Sequence, residues 1–498
     1  MGSGADGPGR RRPPVVPSSV GAVRAFCLAK GARQDARSPP AHSLPSSRIF
    51  TGVTVAETNA TLSSAEIVEL SKRHTIFSWS AQGALDPIPM VRGEGIYFWD
   101  ADGKRYIDMN SQLMCVNIGH GNRRVIEAIQ RQADELVYAG PGMATPVRAR
   151  FGRMLAELTP GDLNHFFFTL GGAEANENAI RIARMVTGRQ KIMVRYRSYH
   201  GATLGAISLT GDPRRWANEP GIPGVVRFFD PYQYRSHLYR EGDSEAEFTR
   251  RCLEEVEEII MFEGGHTIAA MFIETVTGTN GLIVPPEGYI QGLRAICDRH
   301  GILLVCDEVM CGLGRTGRWF AVDHWNVVPD MITMAKGLTS AYLPLGAVAM
   351  SERIASHFDK KVFFGGLTYN AHPMSLAAAE ACLQVMIDDD MVAHTQRMGR
   401  VLAELHQEMK RKHECVGDIR SIGLFGVLEL VRNRETREPL APFNGTSPEM
   451  QRIAAFLRKE GMYAFVNWNN VFTNPPLCIT EEQLRESFAI IDRALAQV

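Results

Sequence analysis

From about residue 120 the chain alternates two patterns. Apolar positions at helical spacing, as over Val125–Leu136 and Pro146–Leu158, give way to short apolar runs. These runs fall at His165–Thr169, Lys191–Val194, Ala269–Ile273, Ile302–Cys306 and Met331–Met334, each followed by polar or Gly-rich residues. The alternation predicts an α/β domain with a mostly parallel sheet, whose ligand sits outside the carboxyl ends of the strands. Upstream, Ser63–Phe77 reads as a helix opened by Ser64 as its cap, with Glu66 in the first turn. Gly95–Asp108 reads as a β-hairpin about an Asp-Gly turn. Beyond about residue 385, helical segments at Val392–His413, Pro448–Glu460 and Glu481–Gln497 flank strand-like Gly423–Val431 and Met462–Val466, the pattern of a smaller α+β domain.

Composition sharpens this in two places. Over 498 residues, 45% hydrophobic and 22% charged content with a net charge of -1 describes an ordinary globular chain and gives no case for a nucleic-acid surface. The balance is uneven, however: residues 1–50 carry +6 and the remainder -7. Seven prolines and an Arg-rich, acid-poor bias make a packed fold there improbable, and 1–55 is expected to be a transit-peptide-like or disordered extension. A transit peptide implies the mitochondrial matrix, and the cytoplasm is the alternative. The nine cysteines are odd in number and scattered, so no disulfide framework is expected. Cys306 and Cys311 lack the further ligands a zinc site needs, and no metal is expected. No apolar run reaches 18 residues, which leaves no membrane-spanning helix.

The candidate chemistry lies at three strand ends. In Phe166–Arg184 a strand meets a Gly-Gly turn and a helix, so the backbone N–H groups of Gly172 and Ala173 offer an anion site suited to a phosphate. In Ile302–Gly317 a fully apolar strand runs straight into Asp307, an acid that is costly to bury without a partner. In Pro329–Leu338, Lys336 follows another apolar run between Ala335 and Gly337. A lysine in a low-polarity pocket loses proton affinity and becomes a nucleophilic amine. A phosphate turn, an acid for a protonated ring nitrogen and an imine-forming lysine together match what pyridoxal phosphate requires.

With those residues in view, the chain resembles the class III pyridoxal-phosphate aminotransferases over residues 70–498. The resemblance rests on Asn117–Gly121, Gly171–Glu177, Tyr199–Gly201, Asp307–Val309, Ala335–Gly337 and Thr368–Pro373. It implies the fold type I architecture of pyridoxal-phosphate transferases: a large cofactor domain, 116–384, and a small α+β domain drawn from both chain ends, 56–115 and 385–498. By the same resemblance Lys336 would bind the cofactor as an imine and shuttle the substrate proton, and Asp307 would pair with the ring nitrogen. Tyr199 and Val309 would cover the two ring faces, Gly172 and Ala173 would hold the phosphate, and Thr368 would reach the phosphate of a neighbouring subunit in a homodimer. His200 is expected beside the cofactor as a structural histidine rather than an acid–base catalyst.

Ser78–Gln82, Gly211–Trp216 and Gly366–Tyr369 are similar to taurine–2-oxoglutarate and other ω-amino-acid transaminases. The resemblance therefore implies a ping-pong transfer from a small amine, taurine-like, to an oxo acid, with an aminomutase or an amine lyase on the same fold as the alternative. Trp79, Arg195 and Arg197 are candidates to meet a sulfonate. Many such enzymes carry an arginine for the oxo acid's carboxylate where this chain has Phe465. Its usual counter-charge, Glu274, is then either re-paired or free, and Arg420 is the candidate replacement cation.

Overall fold

The computed structural model describes residues 62–498, so expectations for 1–55 lie outside the described residues. The first helix, Ser64–His74, is capped by Ser63 rather than by the expected Ser64. Ser63 accepts from the amide of Glu66, and the Glu66 side chain returns to the Ser63 amide, closing a capping box. Strands β1 (Met90–Glu94), β2 (Tyr97–Asp100) and β3 (Arg105–Asp108) follow as an antiparallel sheet, with the Asp102-Gly103 turn between β2 and β3 as anticipated.

The large sheet holds seven strands: β4 (His165–Thr169), β5 (Lys191–Arg195), β6 (Val225–Phe228), β7 (Ile268–Glu274), β8 (Leu303–Asp307), β9 (Met331–Met334) and β10 (Gly346–Met350). Their spatial order is β4-β10-β9-β8-β7-β5-β6. The pairs among β9, β8, β7, β5 and β6 are parallel, and β10 runs against both of its neighbours. Strands β7 to β10 are buried along their whole length, because both faces of the sheet are covered, which explains why they read as continuous apolar runs. This topology brings Thr169, Arg195, Glu274, Asp307 and Met334 to one edge, together with Gly346 at the start of β10.

The C-terminal part adds β11 (Val416–Ile422), β12 (Phe425–Asn433), β13 (Glu438–Pro439), β14 (Met462–Tyr463), β15 (Val466–Asn467) and β16 (Asn470–Thr473). Strand β14 joins β3 in parallel, so the N-terminal sheet is completed by a strand from the other end of the chain. The rest form a sheet in the order β11-β12-β16-β15, with β13 against β12.

A buried polar knot ties this second sheet to the segment after β6. The Glu429 carboxylate on β12 accepts from the Tyr232 hydroxyl and from the guanidinium groups of Arg235 and Arg420. Arg420 also donates to the carbonyls of Gly281 and Leu282 and pairs with Asp418. The two arginines hold the Glu429 pKa down at about 2 against the opposing push of burial.

Glu429→Ala leaves two guanidinium groups without their buried counter-charge. We expect it to lower unfolding stability by about 3–5 kcal/mol, measured by denaturant titration. Because the folded pKa is depressed, the carboxylate's contribution is complete above about pH 4.5 and drains as pH falls toward about 2, so the wild-type advantage over the variant shrinks across that interval.

Candidate active site

A cavity of about 460 Å³ opens at the strand-end edge, a size typical of small-molecule sites. Of the residues singled out in the sequence, Gly172, Ala173, Tyr199, His200, Glu274, Asp307, Val309 and Lys336 all line it. Thr368 does not line the cavity of its own chain; its carbonyl accepts from the Tyr138 hydroxyl at 2.8 Å.

Asp307 ends β8 and is buried. Its Oδ2 accepts from Asn176 Nδ2 and from His200 Nδ1, each at 2.8 Å, and its Oδ1 accepts from the Val309 amide at 3.0 Å. Because a carboxylate only accepts, His200 carries its proton on Nδ1 toward Asp307. Three donors leave room on the carboxylate for one more, from the cavity. Asn176 was not foreseen, although it lies in the motif Gly171–Glu177. It stands on the helix Gly172–Thr187, one turn past the phosphate turn, and Thr333 Oγ1 on β9 orients it by donating to its Oδ1 at 2.8 Å. The described contact of His200 Nδ1 is with Asp307.

Lys336 follows β9 at φ 43°, in the left-handed region that costs a side-chain-bearing residue strain. Gly337 must stay small, since a Cβ there would sit 2.3 Å from the Asn117 amide nitrogen. Burial pushes the Lys336 amine below its ordinary pKa, which favours the neutral, nucleophilic form. The first turn of the helix Gly172–Thr187, which also lines the cavity, leaves its N–H groups without intrahelical partners. A Cβ on Gly172 would lie 2.8 Å from the Val309 methyls, so Val309 and the turn are packed as one unit.

Tyr199 is fixed from several sides. Its amide donates to Glu274 Oε1 at 2.9 Å, the edge of Trp79 meets its ring at 5.9 Å, and the Arg214 guanidinium lies 3.7 Å from the ring centroid. Arg214 also donates to Thr279 Oγ1 at 2.8 Å and forks onto Asp212. Two backbone amides, of Tyr199 and of Gly278, hold the Glu274 carboxylate, and among the described residues no arginine does. Burial raises its pKa.

Three expected cations are corrected. Arg195 is fully buried and donates to the Glu274 carbonyl; Arg197 donates to the Asn280 carbonyl and lies over Tyr232 and Phe443. Arg420 belongs to the Glu429 knot. None of the three lines the cavity. Phe465 packs on Phe472 at 5.1 Å. The guanidinium that touches the cavity's lining residues Tyr199 and Thr279 is Arg214, within the motif Gly211–Trp216.

The donor set fits pyridoxal phosphate. An unpaired helix turn faces the phosphate's charge, an acid with one free acceptor position suits a ring N–H, an aromatic ring and a valine flank a flat group, and a desolvated amine stands within the same cavity.

Comparison with known proteins agrees. The family model for class III aminotransferases matches residues 80–495. The taurine–pyruvate aminotransferase of Bilophila wadsworthia is 33% identical over 455 residues, covering 88% of this chain and 98% of the relative. Among solved structures, the taurine:2-oxoglutarate aminotransferase of Bifidobacterium kashiwanohense, in complex with PLP and glutamate, is 43% identical with a TM-score of 0.85, covering 88% of this chain and 98% of that one. An (S)-enantioselective ω-transaminase from Thermomicrobium roseum is 37% identical with a TM-score of 0.82, covering 88% and 99%.

Asp307→Asn preserves the shape of the acid but puts an amide where the ring nitrogen needs a counter-charge, and it sets an N–H either against both Asn176 and His200 or against the Val309 amide. We expect the fold to persist and kcat to fall by a factor on the order of 10²–10³ or more. Stopped-flow measurement of the amine half-reaction, with circular dichroism as the folding control, checks this; near-native kcat would assign the task to another acid.

Proposed function

This chain belongs to the class III aminotransferases, and from that premise we propose that its donor is a small amine with an acid group at its far end, of the taurine or β-alanine type. It is a pyridoxal-phosphate-dependent transaminase that passes the amino group to an oxo acid. The observation that carries the donor class is Arg214. With phenylalanine at position 465 and Arg195, Arg197 and Arg420 committed elsewhere, Arg214 is the guanidinium left beside the lining residues, and its planar fork suits a sulfonate or carboxylate.

When bound, the cofactor supplies a carbonyl that takes up the amino group and an electron-withdrawing ring. The protein's part follows from its own groups. Lys336 would anchor the cofactor covalently and, once displaced by the donor's amine, would take the proton from the donor's nitrogen-bearing carbon. Its lowered pKa keeps a lone pair available for that transfer. Asp307, steadied by Asn176 and His200, would keep the ring nitrogen protonated. The N–H groups of Gly172 and Ala173 would fix the phosphate, while Tyr199 and Val309 would hold the ring flat between them. The same groups, run in reverse, would hand the amino group to the acceptor.

The proposal extends to a homodimer. Val362, Phe364 and Tyr369 are 67%, 74% and 52% exposed around Thr368, more apolar surface than one short segment ordinarily leaves in water. A partner covering this segment would bring Thr368 toward a second cofactor site. Sedimentation of the holoenzyme is expected to give a dimer, and Thr368→Ala a dimer whose cofactor dissociation constant rises by about tenfold, the loss of one hydrogen bond to a charged group. The composition of residues 1–50 supports a mitochondrial matrix location.

Arg214→Gln separates the donor reading from a positioning role. With taurine, β-alanine and 4-aminobutyrate, kcat/KM is expected to fall by about 10–100-fold, the scale of a hydrogen bond to a charged group, while an uncharged primary amine of similar length loses little. An equal loss for the uncharged amine would mean that Arg214 serves only to seat Tyr199, and the acid-tailed donor would be the wrong class.

A further inference from the structure

A second cleft, of about 230 Å³, shares no lining residue with the cofactor cavity. Two guanidinium groups face it. Arg227, on β6, donates through Nη2 to the carbonyls of Ser208 at 2.7 Å and Thr210 at 3.3 Å, while its buried Nε has no partner. Arg215 donates through Nη1 to the Gly211 carbonyl at 2.8 Å. Its buried Nε lies 2.9 Å from a Glu219 carboxylate oxygen at an angle that makes no hydrogen bond. Glu219 is half-exposed and is the one acid lining the cleft, so two cations meet one anion there. Burial, and Arg215 after it, pushes the Arg227 guanidinium below its ordinary pKa, as expected for like charges held together away from water.

Two lining guanidinium groups, each with an Nε that makes no hydrogen bond, a net positive charge and a volume too small for a nucleotide describe a site for one tetrahedral ion. We propose that this cleft binds a small doubly charged oxyanion, of the phosphate or sulfate type, between Arg215 and Arg227. The consequence reaches the active site. The carbonyls that these arginines hold, of Ser208, Thr210 and Gly211, lead directly into Asp212, and Asp212 forks the Arg214 guanidinium that covers Tyr199. An ion that neutralises the Arg215–Arg227 repulsion therefore stiffens the segment that carries Arg214. The proposal concerns binding at the cleft and stands apart from the donor class assigned above.

The test uses holoenzyme saturated with pyridoxal phosphate, so that the cofactor's own phosphate cradle is filled. Tm is followed against added inorganic phosphate, and separately sulfate, at constant ionic strength set with chloride. A saturable rise of about 1–4 °C is expected with at least one of the two oxyanions. The rise is expected to vanish in Arg227→Gln and to persist in Arg214→Gln. Should Arg227→Gln fold poorly, Arg215→Lys, which keeps the charge but loses the fork, is expected to raise the half-saturating concentration at least about threefold. Absence of a saturable shift in the wild-type protein, or a shift lost in Arg214→Gln and kept in Arg227→Gln, overturns the cleft as the site.

Discussion

A carboxylate at the mouth of an apolar strand is the constraint on which the rest of the site depends. Asp307 ends β8, whose five residues are all buried, and an ionised acid there is stable only if donors come to meet it. They come from three directions: Asn176 from the helix after β4, His200 from the segment after β5, and the Val309 amide from the turn after β8 itself. Thr333 on β9 then locks Asn176. Satisfying one acid therefore registers one helix and the ends of three strands around the cavity that Gly172, Ala173 and Lys336 also line.

The next residue shows the same economy on the other side of the chain. Glu308 is buried and accepts from Thr275 Oγ1 at 2.6 Å and from the amides of Ala321 and Val322 at 2.8 and 2.9 Å. Burial nevertheless pushes its pKa up to about 7. Successive side chains at a strand end point to opposite faces, so one of two neighbouring acids serves the cavity while the other anchors the turn at Ala321–Trp325 beneath it.

What could be read in the sequence follows from this division. Asp307, Lys336 and the Gly172–Ala173 turn were legible because their chemistry coincides with a local pattern, an apolar run ending in a polar group. Asn176 and Arg214 stood in the quoted motifs, yet their roles depend on partners 131 and 65 positions away, which no local pattern shows. Arg420 was misjudged for the converse reason: its partners Glu429 and Gly281 are visible only once β11 and β12 pair and the loop after β7 folds against them. Among the elements, β10 escaped because Gly-Ala-Val-Ala-Met has little of the β-branched or aromatic content that marks a strand, and burial on both faces decided its conformation instead.

Arg214 is asked to satisfy two demands that pull against each other. Lying 3.7 Å from the ring centroid of Tyr199, its charge draws the ring's electron density toward itself, which weakens the opposite face as a stacking partner for an electron-poor ring. Asp212 partly offsets that charge through its fork, and Asn280 in turn donates to Asp212 at 3.1 Å, so the pull on Tyr199 is set by how much of the guanidinium Asp212 holds. On the proposed donor class, the donor's acid group would add a second counter-charge to the same guanidinium. That counter-charge would relax the cation's hold on the Tyr199 ring and return electron density to its opposite face. Recognition of the donor's far end and the setting of the Tyr199 ring would in this way be linked through one side chain.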